Sequence, residues 1–340
     1  MKNSVAIWTK SPPIESDLHI NYWIIKRGIF SRDHFLDFGI KLLNWDGGII
    51  TFYIPIKNIG ESLIDISDAL RERELANALF NENCKITSSL PKRFQIGLPN
   101  EKLTVFTFDK NNDVETVQRY DGTLFSIKIP EENKNWYLRF RVRIPYFSAI
   151  INLFKLKTWR TIRSSFSKKH TPGGSFYQSV RSSVEAVDFR VNNKRNLNLS
   201  LLDDNQDRFL KLRTLHFFLI YDNDEEFMFS TAKPKKVRLL ENDVWSNYLQ
   251  GVSGNNRKYC ATHWSCSPLA EEGWEIFLKI RFASSNVLTI GCYIILISLM
   301  AFIINISSAA FYDKFKETRF FDNLFKIGNL EGHEKNENLN

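Results

Sequence analysis

The chain has 340 residues, of which 43% are hydrophobic and 25% charged, with 46 Lys and Arg against 38 Asp and Glu. That composition excludes a wholly disordered chain and leaves room for one large domain or two small ones. Four cysteines over this length exclude a disulfide scaffold and fit a reducing compartment.

The N-terminal stretch reaches Pro12, Pro13 and several charges without an apolar run of signal-peptide length, so no secretory signal is expected. Asp37-Phe38-Gly39 has the letters of a kinase metal-binding triplet. It lacks the Gly-rich loop, the strand lysine and the catalytic loop that give those letters meaning. Asn44-Trp45-Asp46-Gly47 is a turn signal, followed by a strand over Gly48–Ile56. Period-two apolar spacing predicts further strands over Leu103–Phe108, Gly122–Pro130, Trp136–Ile144 and Ala186–Val191. The same spacing recurs over Leu212–Tyr221, Glu226–Ser230 and Trp274–Phe282, with Tyr221–Glu225 as a hairpin turn between two of these. Amphipathic helices are predicted over Glu61–Phe80 and Pro145–Phe166, and a short one over Val244–Leu249. Because the strands do not alternate with helices, the expected fold is α+β and strand-rich, a sandwich or strongly bent antiparallel sheet with few helices. The soluble domain is expected to span 1–285, with a possible internal break at 168–175.

Val287–Tyr312 holds 26 residues without Asp, Glu, Lys or Arg. As a helix it reaches about 39 Å, against a hydrocarbon core of about 30 Å. One transmembrane helix over 286–312 is therefore expected, followed by an amphipathic, partly frayed tail over 313–340. The basic residues after the span favour the C-terminal side as cytoplasmic. Against that, exporting a large folded domain without a signal is harder than exporting a short tail. The expectation is a cell-membrane protein, single-pass, with its N-terminal domain in the cytoplasm. Gly291, Ser298, Ala301, Asn305 and Ser308 follow at steps of seven, three, four and three, on one helix face. Small residues permit close helix approach and Asn can hydrogen-bond across an interface, so a homo-oligomer through this helix is expected.

The positive charge is concentrated. Between Asn133 and Val184 there is no Asp or Glu and there are eleven Lys and Arg; without these eleven the chain holds 35 basic residues. In the predicted strand Trp136–Ile144, Arg139, Arg141 and Arg143 alternate with Leu138, Phe140 and Val142. Such a ladder, about 7 Å between neighbours, suits phosphates. Lys155, Arg160 and Arg163 follow in the predicted helix. Three readings compete: a solvated or internally paired face, anionic lipid head groups, and a nucleotide or nucleic acid.

Cys260, His263 and Cys266 are closely spaced ligand types without a second pair, a weak zinc pattern better read as loop packing. No metal or other cofactor is expected, since no phosphate-loop, dinucleotide, nucleophile-elbow or zinc-protease motif occurs. His170 with Ser175, and Asp222-Asn223-Asp224, read as turns.

The leading expectation is a membrane-anchored cytoplasmic sensing or docking domain, not an enzyme, that binds an anionic partner and acts through a self-associating helix. Bacterial antiviral-defence effectors share that architecture, by analogy alone. The alternatives are a membrane-surface enzyme on phosphate-bearing or lipid substrates, and a subunit of a larger membrane complex. A pocket around the arginines with His or carboxylates nearby favours the enzyme; one without them favours sensing; an open face favours docking.

Overall fold

The computed structural model describes residues 4–10, 15–26, 32–131, 134–144, 182–205, 208–249, 257–267, 273–283 and 287–317. The chain divides into two units, Met1–Ser284 and Ser285–Asn340.

The first unit is a β-sandwich. One sheet has seven strands: β1 (Ser4–Thr9), β4 (Gly48–Ile54), β9 (Val114–Arg119), β10 (Gly122–Ile129), β12 (Ser182–Val191), β14 (Glu226–Ser230) and β17 (Trp274–Ala283). The other has ten. Its N-terminal strands are β2 (Glu15–Lys26), β3 (Arg32–Leu42), β5 (Leu63–Asp65), β6 (Lys85–Leu90), β7 (Arg93–Gly97) and β8 (Lys102–Phe106). It is completed by β11 (Trp136–Ile144), β13 (Lys211–Asp222), β15 (Lys236–Leu239) and β16 (Tyr259–Cys266).

The seven-stranded sheet runs β14-β17-β12-β1-β4-β10-β9, and the ten-stranded one begins β15-β16-β13-β2-β3-β11-β8. Place by place, each strand of the first sheet corresponds to its neighbour in sequence in the second. The chain therefore crosses repeatedly between the sheets, which buries one face of each. The core lies there: Phe52 of β4 packs edge-on against Phe140 of β11, and Phe189 of β12 lies against Phe217 of β13.

The parallel pairings β1–β12 and β2–β13 lie at the middle of the two sheets. They join strands from before and after the sequence break proposed at 168–175, which itself lies outside the described residues. The Asn44–Gly47 turn is such a crossing, from β3 to β4. Gly47 has φ +117°, and a side chain there would overlap the Pro130 carbonyl.

Two expectations are corrected. Tyr221–Glu225 does turn, with Glu225 N–H donating to the Asp222 carbonyl at 3.0 Å. Yet β13 and β14 belong to different sheets, so it is a sheet-crossing corner rather than a hairpin. Glu61–Phe80 is not one helix. Leu63–Asp65 pairs with β11, Ser67–Arg71 is a 3-10 turn, and only α1 (Arg73–Phe80) is α-helical. Asp65 breaks the helix by accepting the backbone N–H of Ser67 at 2.9 Å and of Phe108 at 3.2 Å.

The ten-stranded sheet has a third layer on its outer face. There α1, the 3-10 turn and α4 (Asn242–Tyr248) pack on Trp23, Phe35 and Ile220. Among the described residues of this unit the other α-helices are short, α2 (Lys110–Asp113) and α3 (Leu199–Asn205).

The second unit contains α5 (Val287–Glu317), 31 residues long. The Ile294–Lys314 part of it contains an 18-residue window with a mean hydropathy of 2.3. Ile294, Ile295, Leu296, Ile297, Phe302 and Ile304 are all exposed. At about 25 cal/mol per Å² of apolar surface, such a helix is far better accommodated in hydrocarbon than in water. It is long and apolar enough to cross a bilayer once.

Candidate functional site

The alternation read in β11 holds: Leu138, Phe140 and Val142 point into the sandwich, and Arg139, Arg141 and Arg143 point outward. The outward face is not open, because α4 and the 3-10 turn cover it. Arg139 is 0% exposed and Arg141 3%. The exposed phosphate ladder is therefore replaced by a buried network, with only Arg143 near solvent, its Nη2 at 2.8 Å from Asp33 Oδ1.

Strand register explains the network. Arg141 lies beside Asp37, which lies beside Asn21; Arg139 lies beside Gly39, which lies beside His19. Asp37, 0% exposed, accepts Arg141 through Nε at 2.6 Å and Nη2 at 2.9 Å. It also accepts Trp23 Nε1 and the Tyr248 hydroxyl, each at 2.7 Å. The Tyr248 oxygen in turn accepts Arg139 Nε at 2.7 Å, and the Tyr137 hydroxyl accepts Arg139 Nη1 at 3.2 Å. Burial opposes the charge on Arg139, but the oxygens of Tyr248, Tyr137 and Asp37 outweigh it and hold the guanidinium protonated. Burial likewise opposes the charge on Arg141, and Asp37 outweighs it.

Gly39 supplies the space. A Cβ there would overlap Arg139 Nη1 and the Tyr137 hydroxyl, so the guanidinium lies across β3 only because that position is glycine. Asp37-Phe38-Gly39, dismissed as a kinase triplet, thus matters for other reasons: counter-ion, core aromatic and gap.

Arg139 Nη2 is buried and has no hydrogen-bond partner among the described residues. Arg139 lines a small cleft of about 20 Å³ that is open to solvent, with His19, Asn21 and Arg238 as its other polar residues. Trp245 and Leu240 form part of its apolar wall, together with Ala78 and Leu79 of α1 and Phe218 and Ala261 of the sheet. His19 packs edge-on against His216 with 4.9 Å between ring centroids, and His216 Nδ1 is 3.0 Å from His263 Nε2. Burial, then His216 and Arg139, push His19 well below its ordinary range; burial and His216 lower His263 to about 4. This row is neutral at pH 7.

The remaining sequence candidates fall elsewhere. Lys155, Arg160 and Arg163, with the predicted Pro145–Phe166 helix, His170 and Ser175, lie outside the described residues. Cys260, His263 and Cys266 are on a strand, not a loop. Cys260 packs against the sandwich core, whereas His263 stacks on Phe218 on the outer face. Strand alternation thus separates them, and among the described residues no three His, Cys, Asp or Glu are placed to hold a metal. Asp222 caps its corner by accepting Lys26 N–H at 3.4 Å and Arg257 Nη1 at 3.2 Å. Gly291, Ser298, Ala301, Asn305 and Ser308 all lie on α5, where the Ser298 hydroxyl donates to the Ile294 carbonyl at 2.8 Å.

Sequence reasoning missed Asp37, Gly39, His19, Tyr248 and Trp245 as site residues. The one available signal was polarity at Asp17, His19 and Asn21 in an otherwise apolar β2. No protein-family model and no curated protein matches the sequence, so the chemistry of the cleft is read from its residues alone.

Proposed function

We propose that the chain is a membrane-anchored sensing domain that binds a small anionic ligand in the Arg139 cleft and acts through its self-associating C-terminal helix. The observation carrying this is the buried guanidinium with an uncommitted Nη2. A buried donor without a partner costs about 1–3 kcal/mol, more when charged, and an anion entering the cleft removes that penalty. A narrow cleft suits a small ion, whereas a polymer or a bilayer surface needs an extended basic face. In this reading the N-terminal unit lies on the cytoplasmic face of the cell membrane, and protease added outside intact cells spares it. An antiviral-defence role is one setting for such an architecture.

The test is titration of the full-length protein in phosphatidylcholine nanodiscs with acetate, inorganic phosphate and AMP, followed by tryptophan fluorescence, since Trp245 lines the cleft. At least one anion should shift the emission saturably, and Arg139→Gln should abolish the shift. A wild-type protein insensitive to all three anions refutes the reading.

His19 supports a second reading, an enzyme, because a neutral imidazole beside a cationic guanidinium can act as a base. Asp37 cannot share that work, since its carboxylate is held by four donors. Turnover of a phosphate ester that His19→Asn abolishes, with anion binding retained, would favour this alternative.

A further inference from the structure

We infer that the cleft holds a single water-sized monoanion, of the kind represented by chloride. This rests on the anion-binding reading above and names the ion. Charge comes first. The buried network joins two guanidinium groups to one carboxylate: Asp37 is paired with Arg141, while Arg139 donates to the hydroxyls of Tyr248 and Tyr137. Burial raises both tyrosines, so each hydroxyl keeps its proton and neither becomes a counter-ion. His19 meets Arg139 in its neutral form. Among the described residues of the network one positive charge is therefore left over. A water in the cleft would give Arg139 Nη2 an acceptor and leave that charge in place. A monoanion supplies the acceptor and the opposite charge together.

Size comes second. One water needs about 10–15 Å³. The cleft offers about 20 Å³, room for a single ion slightly bulkier than water. Chloride meets that description. Phosphate, with its tetrahedron of oxygens, and AMP, with its sugar and base, do not. The lining then discriminates among small ions. Ala78, Leu79, Phe218 and Leu240 present apolar side chains, which offer no donor in place of the water an entering ion gives up. Fluoride, the most tightly hydrated halide, is disfavoured on that account. A guanidinium is itself weakly hydrated and pairs well with an ion that gives up water easily.

The test is chloride NMR line broadening with the full-length protein in phosphatidylcholine nanodiscs, prepared in sodium gluconate, with empty discs subtracted. Chloride should show saturable excess broadening. Bromide should displace it, and fluoride and phosphate should do so about tenfold more weakly or worse. Acetate, which presents a carboxylate but carries more bulk, should displace it more weakly than bromide. Arg139→Gln should lose about tenfold or more in chloride affinity, as expected for a charged hydrogen bond. Because that variant risks misfolding, Ala78→Leu provides an independent check. It leaves Arg139 in place, puts a good helix former at a partly exposed position of α1 that lines the cleft, and should lose chloride equally with an unchanged circular-dichroism spectrum. Chloride broadening that survives Ala78→Leu, or that fluoride or phosphate displaces as well as bromide does, overturns the inference. Should acetate, phosphate or AMP shift the tryptophan emission while chloride gives no broadening beyond empty discs, the cleft binds anions and this narrower inference fails. If no anion gives a response by either method, both fail.

Discussion

Replacing Asp37 by Asn keeps the shape of the side chain and removes the carboxylate that pairs with Arg141 in the buried network. The wild-type oxygens accept four donors, two of them from one guanidinium, and the residue is 0% exposed. Breaking a buried ion pair from one side is destabilising by about 3–5 kcal/mol, because the remaining charge stays buried and unpaired. Here two cations are affected, since the Tyr248 hydroxyl that accepts Arg139 Nε is itself oriented by Asp37. Asn retains one acceptor oxygen, but its amide would confront donors on the other side. Against a total stability of about 5–15 kcal/mol, the expected loss of about 3–5 kcal/mol is roughly a fifth or more. Urea unfolding of the full-length protein in detergent, followed by tryptophan emission, measures it, and Trp23 reports directly because its indole donates to Asp37. Adding Arg141→Met to Asp37→Asn should restore part of the loss, since a neutral pair no longer strands a charge. A single-variant loss below about 1 kcal/mol, or strict additivity in the double variant, would refute Asp37 as the buried counter-ion.

Gly39→Ala should impair anion binding more than folding. The added Cβ meets the tips of Arg139 and Tyr137, side-chain atoms rather than backbone, so overpacking of about 1–3 kcal/mol is expected while the guanidinium is displaced from the cleft; paired urea and titration curves separate the two effects. His34 is lowered to about 4 by burial, chiefly, and then by Arg32. Its folded value lies below its unfolded one, so its contribution is fully present above about pH 6.5 and is lost as pH falls toward 4. The wild type minus His34→Gln stability difference should therefore shrink by up to about 3 kcal/mol over that window, and a flat difference curve would exclude His34 as its source. Asn305→Leu should weaken self-association by about 0.6–2 kcal/mol, read as a lower cross-linked fraction in nanodiscs; an unaltered fraction removes the helix stripe from the interface.

The legibility of this fold depended on how many faces of each strand are covered. Strands β10, β13, β14 and β17 alternate in sequence because one face meets the core and the other meets solvent or a lighter cover. Strand β2 and its partner β3 do not: Leu18, Ile20, Tyr22 and Ile24 enter the sandwich, while Trp23 and Ile25 are buried beneath the third layer. A strand apolar on both faces has no period to detect, so the centre of the ten-stranded sheet was invisible. The same cover misled the charge reading. Alternation placed the three arginines correctly on one face of β11, but the acid neutralising Arg141 lies 104 positions away in sequence. The long apolar C-terminal helix was legible because an apolar run of that length needs no tertiary partner to be recognised.

Stability alone is a poor reason for this network to exist. Buried ion pairs are replaced by well-packed apolar residues with neutral or favourable effect, so a sheet covered by helices gains little from Asp37 and Arg141. The pair does, however, do something an apolar substitute cannot. It fixes Tyr248 through Asp37, Tyr248 then holds Arg139 by Nε, Tyr137 holds it by Nη1, and Gly39 clears its path across the sheet. Every donor so engaged turns the guanidinium into a rigid object with its remaining nitrogen uncommitted beside the cleft. Satisfying that nitrogen internally would need only one more acceptor on a neighbouring strand, and position 39, beside it in register, is instead kept empty. Holding one guanidinium by two hydroxyls, clearing its path with a glycine and leaving Nη2 open fits the proposed role, in which an anion from outside meets that nitrogen.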